Sequence, residues 1–507
     1  MRRALTLFGA CLAAISTGTQ YCASSYSPQL ADRLALNSKQ TNALLLCANT
    51  AIYLTGPFAG FLVDKRGHRV CMIIAALMLF TGYFVLRLFY DSGPDGLRKT
   101  AGLVPLGIAE ALVGIGSSAS YAGMANSVAR TFSARRRATA LSVSIACIGL
   151  SAFLYSSLAP YSLMPGFDST SSFMLLLAVG CGSSVLLSAI LMRPPPIERA
   201  ASKTVYTPRV PPDSTSRSKE DDNDVFSMPG SRSQSITITP EHDATIVAME
   251  KSRSQQSGLY SWAIDANAVV APVDVRGWAL VTNGDFGLLF LFLGLLTGCG
   301  LMFINNLGTL VHSFPFPLAA PSDAPMLLQQ RLVAFLSVCN CVGRLVFGPL
   351  SDLLAHKVPR VWFLPPMAAL FIAANAWTST VNNLDVLWGV TAMFGLAYGC
   401  LAAGMPPFVI DWFGLPSFTT NAGLLGVSPA LFANLANLLF GIIYDAHATN
   451  TSNERIAAKQ AGLHTPEHLC TIGNACFSDS FKITSSLSAV AFLVAVLLVW
   501  RRSHKLA

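Results

Sequence analysis

Twelve blocks of about 20 mostly apolar residues, parted by short polar segments, constrain this chain more than any other feature it has. Read from the sequence, they fall at roughly 4–25, 41–63, 70–90, 101–124, 137–160, 171–192, 284–306, 327–351, 361–379, 385–410, 418–445 and 482–500. A block of that length spans a hydrocarbon layer of about 30 Å as a helix. A helix also satisfies its own backbone hydrogen bonds, which lipid cannot do. The blocks lack the strict two-residue alternation of a membrane β-barrel. Only 12% of the 507 residues are charged and 52% are hydrophobic, whereas a soluble chain carries roughly 25% charged residues. The expected fold is an all-α membrane protein of about twelve transmembrane helices.

The net charge of +8 does not point to nucleic acid. The Lys and Arg residues sit in short loops beside apolar blocks and not on one soluble face. Most of the 12 cysteines lie within blocks, as Cys11, Cys47, Cys147 and Cys299 do, and there they serve as small hydrophobes. Cys339 and Cys341 are two apart and share no helix face. No CxxC pair or His/Cys cluster suggests a metal, and no cofactor is expected. Arg2-Arg3 followed by the apolar run Ala4 to Ile15 also resembles a secretory signal. Apolar and small residues continue to about Ser25, and removing them leaves an odd number of helices, so a first transmembrane helix is the reading favoured here.

The first six blocks (1–192) and the last six (284–507) are separated by a polar stretch, 193–283. It opens with Arg193-Pro194-Pro195-Pro196, which ends a helix sharply. Its Ser, Thr, Pro and mixed charges, including Glu220-Asp221-Asp222, bury too little apolar surface to fold alone, so it reads as a disordered cytoplasmic linker. Basic loops mark the cytoplasmic side: Lys65-Arg66-Gly67-His68-Arg69, Arg130 with Arg135-Arg136-Arg137, His356-Lys357 with Arg360, and Arg501-Arg502 all fall on one side. Both termini are placed there as well. Loop 446–481 then faces outside or a lumen. It holds the sequon Asn450-Thr451-Ser452, a glycosylation candidate, and Cys470 with Cys476, a disulfide candidate for an oxidising compartment.

The clearest motif joins spans two and three: Gly60-Phe61-Leu62-Val63-Asp64-Lys65-Arg66-Gly67-His68-Arg69. Gly60 allows a neighbouring helix to approach closely. Asp64, at the membrane edge, needs a partner or a helix N-terminus to offset its desolvation. Gly67 permits the turn, and Arg69 with its basic neighbours anchors the loop. The second half repeats part of this after span eight. Gly343-Arg344 precedes Gly348-Pro349-Leu350-Ser351-Asp352, with Gly348 and Asp352 spaced as Gly60 and Asp64 are. Its turn has no Gly where Gly67 stands in the first half. Two six-helix halves sharing a motif are the mark of a duplicated transporter with its site at the midplane.

These residues resemble the major facilitator superfamily, whose signature loop is the Gly60-to-Arg69 element. Within it the chain is similar to the nodulin-like branch, which includes fungal homologues of monocarboxylate permeases. That finer likeness rests on Gly18-Thr19-Gln20-Tyr21 through Tyr26-Ser27-Pro28-Gln29-Leu30, on Asn305-Asn306-Leu307-Gly308, and on Gly441-Ile442-Ile443-Tyr444-Asp445. The resemblance implies two six-helix bundles that rock about a midplane site, and a vacuolar or plasma membrane.

One departure bears on mechanism. Many members of the superfamily carry Arg in span four, with Gly four and six residues later. Gly114 and Gly116 keep that spacing here, but the Arg position is Glu110. A buried carboxyl group can itself take up and release a proton, so Glu110 is a candidate for proton coupling or for orienting a solute. The alternative is a structural pair with Arg87. Gln20, Tyr21, Asn305, Asn306, Arg331 and Asn340 are further candidates for the solute and proton pathway. Arg331 stands out because guanidinium recognises carboxylates bidentately, though an interfacial anchor explains it equally well. For Asn49, Asn434 and Asn437 a helix–helix hydrogen bond is the favoured reading. Gly60, Asp64, Gly67, Arg69, Arg344, Gly348 and Asp352 read as gating residues.

The expected function is secondary active transport of a small organic solute by a monomer in the lipid bilayer, with monocarboxylate/proton symport leading. An enzyme is not expected, and no phosphate-binding Gly-rich loop supports nucleotide-driven transport. The rivals are a transporter of amino acids, metal chelates or drugs, and a non-transporting receptor or scaffold that signals through the linker.

Overall fold

The structure is a computed structural model that describes residues 2–19, 22, 26–36, 38–99, 102–158, 169–194, 274–314, 324–355, 357–450, 470 and 473–506. Among these residues there are twelve long helices and no strand. The first half holds α1 (Arg2–Thr17), a short α2 (Ser27–Leu34), α3 (Ser38–Arg66), α4 (His68–Lys99), α5 (Val104–Thr131), α6 (Arg137–Leu158) and α7 (Ser169–Leu191). After a short α8 (Trp278–Val281) come α9 (Gly284–His312), α10 (Ala324–Leu354), α11 (Leu364–Thr378), α12 (Val386–Phe413), α13 (Phe418–Asn450) and α14 (Ser478–Leu506). Nine of the described helices are long and apolar enough to cross a membrane. Phe58, Leu353 and Leu493 are among many large apolar side chains left exposed on their outer faces. In lipid that exposure costs nothing, and in water a surface of this extent drives association.

The packing repeats between halves. The third helix of the chain packs on α5, α4 on α7, and α1 on α6. Their counterparts in the second half are α10 on α12, α11 on α14, and α9 on α13. The largest contacts between the halves are α3 with α13 and α6 with α10, and they too are counterparts; α6 with α12 and α5 with α13 add smaller ones. Lipid supplies no hydrophobic force between helices, so close contact depends on small residues. Gly114 of α5 lies against the Ala48 carbonyl of α3, and Gly399 of α12 lies against the Asn340 carbonyl of α10. This explains Gly114 without an Arg at position 110: the glycine serves helix packing.

Three details differ from the sequence reading. Several helices overrun their expected spans: α4 covers 68–99 where 70–90 was expected, and α13 reaches Asn450, while α1 ends at Thr17 and α11 covers only 364–378. At 1.5 Å per residue a 29-residue helix is about 44 Å long, and its ends stand in the headgroup layer. Helix α2 was not expected; Pro28 stands in its first turn and Ala35, at φ 52°, ends it. Within 193–283, the end next to α9 is built into the protein. Val275 N–H donates to Phe413 O (3.0 Å), Asn421 Nδ2 donates to Val275 O (2.8 Å), and Leu280 is fully buried.

Cys470 and Cys476 form a disulfide. The segment it closes ties together the ends of four helices. Cys470 N–H donates to Tyr444 Oη of α13 (3.0 Å), Gly473 N–H to Ser313 O after α9 (2.9 Å), and Asn474 Nδ2 to Ser379 O after α11 (3.0 Å), just before α14 begins. Cys470→Ser is expected to cost about 2 kcal/mol through the freed loop, seen as a lower Tm of the purified protein. An unchanged Tm contradicts a structural role. Asn450 ends α13, and the rest of its sequon lies outside the described residues.

Candidate functional site

Four basic segments (64–69, 130–137, 357–360 and 501–502) share one end of the molecule, called here the basic end. At that end each half grips the other in the same way. Asp64, the third residue from the end of α3, faces the N-terminus of α13. Its Oδ2 accepts from Thr420 N–H (2.7 Å) and Thr420 Oγ1 (2.8 Å), and its Oδ1 accepts from Thr419 Oγ1 (2.6 Å) and Asn126 Nδ2 (3.0 Å). Asp352, near the end of α10, faces the N-terminus of α6. Its Oδ2 accepts from Thr139 N–H (2.8 Å) and Thr139 Oγ1 (2.8 Å). Thr420 and Thr139 are each the third residue of their helix. The orphan N–H groups and positive pole of a helix N-terminus explain why a carboxylate belongs there. Gly60 and Gly348, each four residues before its Asp, meet the opposing helix within van der Waals distance: Gly60 at the Thr419 carbonyl, Gly348 at Ser142.

The two grips differ in charge. Asp352 Oδ1 pairs with Arg360 Nη2 (2.8 Å), and Arg360 Nη1 pairs with Asp411 (2.6 Å). In the first half the cation stands one residue further out: Arg130 Nε donates to Asn126 Oδ1 (2.8 Å) and Arg130 Nη2 to Pro416 O (3.4 Å). Gly67, at φ 88°, makes the tight α3–α4 turn. The missing Gly in the second half is matched by a longer turn, from which Arg360 folds back. Arg69 is exposed and takes no part in the Asp64 network.

Arg344 lies deeper. It is ten residues from the basic end of α10, or about 15 Å at 1.5 Å per residue, and it is 3% exposed. Its Nη1 donates to Ile145 O of α6 across the interface between halves (2.6 Å), and its Nε donates to Asn340 Oδ1 (3.0 Å). Tyr121 of α5 lies within electrostatic range. No carboxylate pairs with Arg344 among the described residues, and Nη2 has no protein partner there. A buried cation at mid-depth is costly unless an anion joins it, and a guanidinium fork suits a carboxylate.

Glu110 lies six residues into α5 from the opposite end, about 9 Å deep, and is 2% exposed. Tyr26 Oη donates to its Oε1 (3.1 Å). Tyr26 packs edge-on against Tyr83 (6.5 Å between centroids), and Tyr83 Oη donates to Thr19 Oγ1 (3.0 Å). The pair with Arg87 does not form. Arg87 is 3.4 Å from Asp91 and donates to Ser171 Oγ (3.1 Å). Glu110 therefore faces the interior of the first bundle, and Tyr26, at the N-terminal cap of the unexpected α2, reaches it there.

The other candidates scatter. Gln20 and Tyr21 lie outside the described residues. Asn306 Nδ2 donates to Asn437 Oδ1 (3.0 Å), a helix–helix bond between α9 and α13. Asn305 is exposed, as is Arg331 near the opposite end of α10. Asn340 holds Arg344. The sequence reading missed Thr139, Thr419, Thr420, Asn126, Arg360, Asp411, Tyr26 and Tyr121. The recurrence of Thr at the third place of span five and of span eleven is visible on laying one half over the other.

A duplicated twelve-helix bundle, with its halves held together at one end and a buried cation at mid-depth, is the architecture of a membrane transporter. A family model described as Major Facilitator Superfamily matches residues 7–409, and the chain belongs to that superfamily of transporters. Among its relatives is "Probable transporter MCH1" of Gibberella zeae, 23% identical over 94% of this chain and 86% of the relative. Another is "Uncharacterized membrane protein YMR155W" of Saccharomyces cerevisiae, 24% identical over 96% of this chain and 92% of the relative. The fold is similar to that of the proton:xylose symporter XylE (TM-score 0.53, 14% identity, 97% of this chain and 94% of that one). It is also similar to the human organic anion transporter MFSD10 (TM-score 0.54, 14% identity, 97% and 98%).

Proposed function

We propose that this transporter moves a small monocarboxylate together with a proton by alternating access. The observation that carries the reading is Arg344: a buried, mid-depth guanidinium at the interface of the halves, with no carboxylate partner among the described residues. The solute's carboxylate takes that place. The likeness to the nodulin-like branch and its monocarboxylate permease homologues supports the same solute class. The basic end faces the cytoplasm, because basic loops stay on that side, and the membrane is vacuolar or plasma. The matched Asp64 and Asp352 contacts close that end, so the described state receives solute from the opposite side. Rocking the halves breaks both contacts and opens the cytoplasmic path.

Glu110 carries the proton in this scheme. An anion crossing alone works with or against about 2.3 kcal/mol per 100 mV; one proton per carboxylate removes that term. Tyr26 holds the carboxylate side chain of Glu110 in place. Two results test the scheme. Exchange of labelled monocarboxylate across liposomes containing the protein should be inhibited by other monocarboxylates and not by their amides. Equal inhibition by the amides overturns carboxylate recognition. Glu110→Gln should abolish accumulation driven by a pH gradient while exchange of solute for solute continues. Accumulation that survives in Glu110→Gln removes Glu110 from the proton path.

A further inference from the structure

Arg69 closes the Gly60-to-Arg69 element, yet it makes no hydrogen bond or ion pair among the described residues. Its position is set by the residue before it: His68 Nε2 donates to the Met192 carbonyl at the end of α7 (3.1 Å). That bond brings the basic ends of α4 and α7 together, and so sets the next residues, Arg69 and Arg193, side by side. Arg193 is further fixed by its N–H, which donates to Thr6 Oγ1 of α1 (3.4 Å). Both arginine side chains are exposed, and no carboxylate among the described residues pairs with either. Between them opens a cavity of about 210 Å³ lined by Arg69, Ile73, Leu186, Ala189, Ile190 and Arg193.

The lining is polarised. The two cations sit at the rim, at the level of the helix ends. Ile73 and Ile190 lie about one turn deeper, and Leu186 about two turns, in the apolar part of each helix. These three side chains are 45%, 59% and 46% exposed, so the groove opens on the outer surface of the bundle. Paired cations at the interface above an apolar groove match a phosphate carrying an acyl chain. Basic pockets between helices at the membrane surface bind anionic headgroups on these terms.

We propose that the groove between the basic ends of α4 and α7 holds one anionic phospholipid. Its phosphate lies between the Arg69 and Arg193 guanidinium groups, and an acyl chain lies along Ile73, Leu186 and Ile190. This site is separate from Arg344 and does not depend on the solute assigned above. Because Arg69 stands in the first turn of α4, two residues past the Gly67 turn that joins it to α3, the lipid bears on the helix that carries Asp64, and the composition of the leaflet bears on the gate.

Native mass spectrometry of the full chain, titrated with phosphatidylserine or phosphatidylcholine, tests this. Wild type is expected to retain one phosphatidylserine that Arg69→Gln/Arg193→Gln binds about 30-fold more weakly, the factor two interfacial arginines supply. Arg69→Lys/Arg193→Lys keeps both charges and should retain most of the affinity, which separates lost recognition from misfolding. Equal retention of phosphatidylcholine overturns the proposal, since the groove then reads only the chain. Equal binding in the Gln variant overturns it, as does tight binding of glycerophosphoserine without acyl chains. Neutralising Glu220, Asp221 and Asp222 is expected to leave lipid binding unchanged. A large gain shows that the linker's acidic run is the resident occupant and overturns the lipid assignment.

Discussion

Gly60→Leu is expected to stop transport while leaving the protein folded. The Gly60 Cα faces the backbone of Thr419 and Thr420, and the contact is helix against helix, so no flexible side chain can give way. Filling such a site costs about 3 kcal/mol or more, which is on the order of a 100-fold loss of the state closed at the basic end. The contact lies between the two bundles and not within either, so the packing inside each survives. Ser142, which is fully buried opposite Gly348 in the other grip, reports the outcome. A cysteine placed there (Ser142→Cys) should react slowly with an impermeant thiol reagent from the basic side in the parent protein, and rapidly once Gly60→Leu is added. Gly60→Ala should give an intermediate rate. Slow labelling and normal transport in Gly60→Leu contradict the account of the gate.

The second large effect is at Arg344. Arg344→Gln removes the buried mid-depth guanidinium to which the proposal assigns the solute's carboxylate. A charge-assisted bidentate pair in a buried site is worth about 3 kcal/mol, or roughly a 150-fold fall in kcat/KM for a monocarboxylate. Arg344→Lys keeps the charge and loses the fork, and should recover part of it. Because Arg344 Nη1 also bonds Ile145 O across the halves, the variant changes the interface as well. The amide of the same acid separates the two effects. Recognition of carboxylate predicts that the amide gains relative to the acid in Arg344→Gln. A purely structural role lowers both alike.

Much of this was legible because the bilayer imposes a single length scale. Helices of 20 or more apolar residues leave little choice of fold, and duplication shows in the shared Gly60/Asp64 and Gly348/Asp352 spacing. Their partners were not legible by proximity. Thr420 lies 356 residues from Asp64 and Thr139 lies 213 from Asp352, and only the fold brings them together. Arg344 was read with the gate because it stands four residues before Gly348; counting turns of helix sets it some 6 Å deeper. Arg331 was weighed for the carboxylate on residue type alone, and exposure near the opposite end removes the burial that gives such a group its selectivity. Glu110 could be located to a helix but not to a face. The partner that orients it, Tyr26, stands at the N-terminal cap of α2, a helix of eight residues too short and too polar to announce itself among spans of 20. The order at 274–283 was hidden for a similar reason: one backbone bond to Phe413 and one from Asn421 leave no trace in composition.

The most direct test is proton flux in liposomes that enclose a pH-sensitive dye and carry the purified protein. A panel of monocarboxylates and amino acids is added outside, with empty liposomes beside it, since undissociated weak acids cross lipid unaided. The expected result is a saturable acidification with monocarboxylates alone, above the empty control and lost in Glu110→Gln. No flux above that control for any monocarboxylate contradicts the proton-coupled scheme.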